Sequence, residues 1–154
     1  MLNMIPTIII RHRKENLKKC SLRGLEKNKK ILFYSYPNEI VHLPDLSKYI
    51  LLKMGAPELK IADNKKGLLL IDSTWNYLDK ILKIIPDGIE TRSLPKSYIS
   101  AYPRKQTMCP DPKQGLASIE ALYLAYMIMG KDTSNLLDNY YWKDKFLEIN
   151  PLNR

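Results

Sequence analysis

Residues 67 to 75 read Gly-Leu-Leu-Leu-Ile-Asp-Ser-Thr-Trp, an unbroken apolar run that stops at a carboxylate and an indole. Nothing polar alternates within Leu68 to Ile71, so the segment reads as a strand covered on both faces, as in a parallel sheet with helices on either side. Open α/β sheets collect ligands at the carboxyl ends of their strands. Asp72, Ser73, Thr74 and Trp75 therefore stand where a ligand would be held.

Working outward, Thr7 to Arg11 is a β-branched run that predicts a first strand, and Ile31 to Tyr36, stopped by Pro37, predicts a second. Ser21 is placed to cap a short helix from Leu22 to Asn28. Asp45 after Pro44 has the form of an N-cap, and Leu46, Tyr49, Ile50 and Lys53 keep helical spacing up to Gly55. Beyond the central strand, Trp75, Leu78, Ile81, Leu82 and Ile85 share one helical face that Pro86 and Gly88 close. Ile89 to Arg92 is a further short strand. Pro95, Pro103, Pro110 and Pro112 then mark a polar loop that leaves no room for a helix between Tyr102 and Gly115. Ser118 to Met129 is apolar nearly all round and predicts a buried helix ended by Gly130. Two shorter helices are expected, Thr133 to Tyr141 and Trp142 to Ile149, with Pro151 stopping the last. The expectation is thus an α/β part over residues 1–93 and a mostly helical part over 94–154 within one compact unit.

With 45% hydrophobic and 27% charged residues the 154-residue chain has globular composition, and it lacks the run of about 18 apolar residues that a membrane span needs. The apolar start, Met1 to Ile10, precedes its basic segment, the reverse of a secretory signal. Cys20 and Cys109 are too few for a disulfide or thiolate framework, so a cytoplasmic setting is expected. The six glycines contain neither a dinucleotide fingerprint nor a phosphate loop. His12 and His42 form no metal-ligand set with the cysteines or carboxylates, and no Ser-His-Asp or Cys-His arrangement can be drawn. The net charge of +9 is concentrated between Arg11 and Lys30, where nine basic side chains face Glu15 and Glu26 alone. Such a cluster suits a phosphate backbone, whose counterions it would release, and equally suits a solvated surface.

Three places remain for chemistry: the turn from Asp72 to Trp75, the segment Lys19 to Ser21, and the helix start from Leu116 to Glu120. In a parallel sheet all three can meet at one edge. Ser118 would lie at a helix start whose free backbone N–H groups favour an anion. Each has a structural alternative, since Asp72 and Ser118 can be caps and Trp75 can be core.

Taken in order, Lys-Lys-Cys-Ser (Lys18 to Ser21), Asp-Ser-Thr-Trp (Asp72 to Trp75), Arg-Ser-Leu-Pro (Arg92 to Pro95) and Leu-Ala-Ser-Ile-Glu-Ala (Leu116 to Ala121) resemble the S-adenosylmethionine-dependent aminocarboxypropyltransferases of small-subunit ribosomal RNA. The closing segment Leu136 to Asn150 is similar as well. The resemblance implies a SPOUT-like α/β fold, a parallel sheet with flanking helices and a helical C-terminal part, threaded into a deep trefoil knot. General topology rules would not propose the knot. It also implies transfer of the 3-amino-3-carboxypropyl group of S-adenosyl-L-methionine to a uridine-type base, by a monomer engaged in ribosome biogenesis. Rival readings are a SPOUT-type RNA methyltransferase and a non-catalytic ribosome-assembly factor that binds RNA.

Carried over residue by residue, the resemblance assigns Ser21, Asp72, Leu94, Leu116 and Ser118 to the cofactor pocket and Ile71, Trp75 and Tyr102 to its walls. Asp72 would face the cofactor's positive charge or accept the base's proton. Arg11, Arg13, Lys14, Lys18, Lys19, Arg23, Arg104 and Lys105 would hold ribosomal RNA or its small-subunit precursor. The family's acidic and histidine-containing stretch before Lys-Lys-Cys is here Arg11 to Asn16, and its Ala-Ala-Asn-Pro is Ser100 to Pro103.

Overall fold

The computed structural model describes residues 5–12, 21–73, 75–102 and 115–151, with the side chains of Trp75 and Asn76 excepted. Five parallel strands, β1 (Thr7–His12), β2 (Ile31–Tyr36), β3 (Tyr49–Leu52), β4 (Gly67–Asp72) and β5 (Glu90–Arg92), form one sheet in the order β2-β1-β4-β3-β5. The lack of alternation in the quoted stretch is explained by cover on both faces. Leu68 and Leu70 pack with Ile9 beneath α2 (Ser118–Met129) and α3 (Lys143–Ile149). Leu69 packs with Ile8 and Ile10 on the opposite face, against Ile81 of α1 (Trp75–Leu82). Gly67 lets the strand pack closely, because a Cβ there would come within 2.6 Å of the Ile5 side chain and 2.7 Å of the Tyr49 ring and force them to shift.

Chain order through the sheet sets the site. The chain leaves β1 for β2 on one side and leaves β4 for β5 on the other, so the C-terminal ends of adjacent β1 and β4 diverge. A crevice opens at such a switch point. Arg11 and Asp72 are neighbours in register across it.

Three expected helices are corrected. Residues 45 to 53 hold strand β3, because Tyr49 to Leu52 is a four-residue apolar run buried between β4 and β5, and a run that short fits either period. The Asp45 signal belongs to a turn, in which its carboxylate accepts hydrogen bonds from the Ser47 N–H at 3.0 Å and hydroxyl at 2.9 Å. Leu22 to Asn28 shrinks to a single 3-10 turn at Leu25–Lys27, since Gly24 adopts φ +92°. Thr133 to Tyr141 is a string of turns: Asp132 accepts from the Ser134 N–H, and Asn135 is left-handed at φ +67°. Leu136, Leu137 and Tyr140 still reach the core. The strands around residues 7–11, 31–36, 68–72 and 89–92 and the helix Ser118–Met129, closed by Gly130 at φ +72°, stand where the sequence puts them.

Candidate functional site

Strand parity decides which side chains can meet. Along β4, Leu68, Leu70 and Asp72 point to the α2 face, and along β1, Ile9 and Arg11 do the same. Asp72 is buried at 7% exposure, and its Oδ1 accepts a hydrogen bond of 2.6 Å from the Ser118 hydroxyl in the first turn of α2. Ser21, from the segment after β1, accepts the Ile119 N–H at 3.2 Å. One of the orphan donors of the α2 N-terminus is thereby met by a residue 98 positions away. Three sequence-distant corners therefore converge on the crevice, as the sequence expectation required.

Glu120 holds this corner together. It is fully buried, and its oxygens accept from the Ala117 N–H (2.7 Å), the Ala101 N–H (2.8 Å), the Ser100 hydroxyl (2.6 Å) and the Tyr140 hydroxyl (2.9 Å). Asn150 adds a second clamp, accepting from the Ile99 N–H and donating to the Ile99 and Phe146 carbonyls. Tyr102 lies parallel to Tyr140, ring centres 6.5 Å apart. Leu94, Tyr102 and Leu116 are half-buried and pack on the α2-side core, on the same face as Asp72.

Two expected members go elsewhere. Ile71 points to the opposite face and packs with the α1-side core, because it alternates with Asp72 along the strand. Arg11, expected on an RNA-facing surface, is buried at 7% exposure. Its guanidinium lies 4.4 Å from the centre of the Phe33 ring, with Nη1 3.3 Å from Glu26 Oε2 and Nε 3.6 Å from Asp72 Oδ2. Burial pushes the Glu26 carboxyl up, but hydrogen bonds from its own backbone N–H and that of Gly24, with Arg11 beside it, outweigh this and hold it below its usual range. Arg23 is exposed, as are Lys27, Lys29 and Lys30. Arg13, Lys14, Lys18, Lys19, Arg104 and Lys105 lie outside the described residues, as does the side chain of Trp75.

Sequence reasoning missed the inward turn of Arg11 and the four-donor role of Glu120. The signal for Arg11 was available in the register of the β-branched run, which buries both faces through residue 12. His12 is buried on the other face and stacks on Tyr77, centroids 3.8 Å apart. Arg92 of the Arg-Ser-Leu-Pro segment is engaged by Asp63 at 3.3 Å and Glu90 at 3.0 Å. Among the described residues no group of three His, Cys, Asp or Glu side chains is placed to hold a metal, and no helix is long and apolar enough to cross a membrane.

No family model and no curated protein matches the sequence. Among solved structures, the chain is similar to the SAM-dependent rRNA:acp-transferase Tsr3 from Vulcanisaeta distributa, with a TM-score of 0.71 and 28% identity over 96% of this chain and 79% of that one. The fold is that of an rRNA aminocarboxypropyltransferase. The likeness covers nearly the whole chain. It agrees with the ordered motifs read from the sequence, two of which supply the Asp72–Ser118 contact.

Proposed function

We propose that this protein transfers the 3-amino-3-carboxypropyl group of S-adenosylmethionine to a uridine-type base of small-subunit ribosomal RNA. The observation that carries the reading is the Asp72–Ser118 hydrogen bond at the sheet's switch point, in a chain with the fold of an enzyme of that activity. The donor set fits the cofactor. A buried carboxylate suits a sulfonium or ammonium cation, two hydroxyls at a helix start suit polar groups of the amino-acid arm, and Leu94, Tyr102 and Leu116 offer apolar wall.

When bound, the cofactor supplies an electrophilic carbon beside a positively charged sulfur and leaves as methylthioadenosine. The protein's task is orientation, because the sulfonium carries more than one transferable carbon and the one presented to the base decides the product. In this reading Asp72, held by Ser118 and flanked by Arg11, fixes the cationic end of the arm. The alternative role for the same carboxylate in this reading is to accept the proton the base releases. Glu120 ties Ala101, just before Tyr102, to the α2 start, and Asn150 ties Ile99 to α3, so the two chain segments that border the site are held by hydrogen bonds.

Arg23, Lys27, Lys29 and Lys30, exposed on the segment that leads into β2, support the RNA reading. A SPOUT-like knot, supported by the motif order, a cytoplasmic site of action, supported by the scarcity of cysteine, and a monomeric state complete the proposal. The test is incubation with ribosomal precursor RNA and S-adenosylmethionine labelled either at the carboxyl carbon or at the methyl. Carboxyl label in RNA is expected. Methyl label alone would make the protein a methyltransferase, and no label with tight RNA binding would make it an assembly factor.

A further inference from the structure

Among the described residues, Arg11 has an edge without a hydrogen-bond partner, with Asp72 only at ion-pair distance. Its Nε and Nη2 are buried and form no hydrogen bond, while Nη1 is engaged by Glu26. Those two atoms make up one side of the guanidinium fork, the side that grips a carboxylate with two parallel hydrogen bonds. Asp72 is the nearest carboxylate, yet its Oδ2 stops 3.6 Å from Nε because Ser118 draws Oδ1 the other way at 2.6 Å. The fork is thus held off its neighbour, and a buried cation rarely leaves such donors unmet. Glu26 and the face of Phe33 fix the guanidinium from the remaining sides. The start of α2, with Ser118 and the Ser21 contact, borders the same crevice and favours negative charge.

We propose that the open edge of Arg11 binds the carboxylate of an α-amino-acid group, whose ammonium lies against Asp72. Cation and anion then alternate on both sides: fork to carboxylate, Asp72 to ammonium. This deepens the proposed function and rests on it, since the cofactor's transferred arm is such a group. It gives Arg11 a ligand in place of the RNA contact expected from sequence. The edge is closed to water in this structure, so the ligand's oxygens enter beside Asp72 as the bordering side chains part.

The experiment is calorimetry on the full chain with three ligands: S-adenosylmethionine, its decarboxylated analogue and methylthioadenosine. The wild-type protein should prefer S-adenosylmethionine over the decarboxylated analogue by about 10–100-fold, the worth of a charge-assisted pair. Arg11→Lys keeps the charge but loses the fork, and should bring that preference to within about threefold of parity while methylthioadenosine affinity stays unchanged. Arg11→Met should abolish the preference. Equal discrimination in wild type and Arg11→Lys, with S-adenosylmethionine still bound, overturns the fork and leaves the cofactor reading standing. No binding of any of the three by folded wild-type protein overturns both. A loss in Arg11→Lys confined to RNA affinity and its salt dependence would return Arg11 to the RNA surface and sink the proposal.

Discussion

Glu120→Gln tests whether the corner of the site is held by one carboxylate. Oε1 accepts from the Ala117 N–H at 2.7 Å and the Ser100 hydroxyl at 2.6 Å, and Oε2 from the Ala101 N–H at 2.8 Å and the Tyr140 hydroxyl at 2.9 Å. Glutamine has the same shape but one acceptor oxygen. Whichever end becomes the amide NH2 then faces one hydroxyl, which can rotate and accept, and one backbone N–H, which cannot. That stranded N–H costs about 1–3 kcal/mol. The two bonds surviving at the amide oxygen drop from charge-assisted to neutral strength, about 1 kcal/mol each. Relief from burying a neutral group in place of a charge offsets part of this, leaving a net loss of about 2–4 kcal/mol. For a chain of this length that lowers Tm by roughly 4–16 °C. Urea and thermal unfolding of wild type and variant measure it. Because Ala101 and Ala117 flank residues 103–114, the same substitution should weaken S-adenosylmethionine binding by loosening Tyr102 and Ser118 together. A variant within about 0.5 kcal/mol of wild type would refute the reasoning, since a surface substitution does no less.

Asp72→Asn keeps the Ser118 contact and removes the charge, so S-adenosylmethionine affinity should fall about tenfold or more while methylthioadenosine affinity holds; a loss of stability alone would make Asp72 structural. The depressed Glu26 carboxyl contributes stability above its unfolded value of 4.5 that is lost as pH falls through the lower folded value, so Glu26→Gln should flatten the acid limb of the stability profile below that pH, and an unchanged limb would remove the Arg11–Glu26 pair from the account. Burial lowers the Lys131 ammonium from 10.5, so its proton opposes folding at neutral pH; Lys131→Met should raise Tm at pH 7, with the gain shrinking as pH climbs through the folded value toward 10.5. Replacing Lys27, Lys29 and Lys30 with Gln should reduce the salt slope of RNA binding by about 0.7 for each phosphate contact to single-stranded RNA lost, as a filter-binding series in rising salt would register.

What the sequence discloses here depends on whether a segment's burial or its partners decide its form. Leu68 to Ile71 and Ser118 to Met129 are apolar on every side, so their own composition dictates deep burial, and length separates strand from helix. Tyr49 to Leu52 is apolar too, but only the edges offered by β4 and β5 make it a strand, and those are set by chain order through the sheet. Asp45 and Ser21 are capable caps, but the Asp45 carboxylate serves a turn and the Ser21 hydroxyl a distant helix. The site follows the same division. Asp72 and Ser118 announce themselves by standing at the ends of unmistakable elements, whereas Arg11 lies in a stretch whose charge suggests a surface. Its burial follows from the cover on both faces of β1, and the two-residue period counted from Ile9 sets it on the face of Asp72 in the strand beside it. Arg11 takes the inner face beside Asp72, whereas Lys27, Lys29 and Lys30, which lie beyond the strand, are exposed.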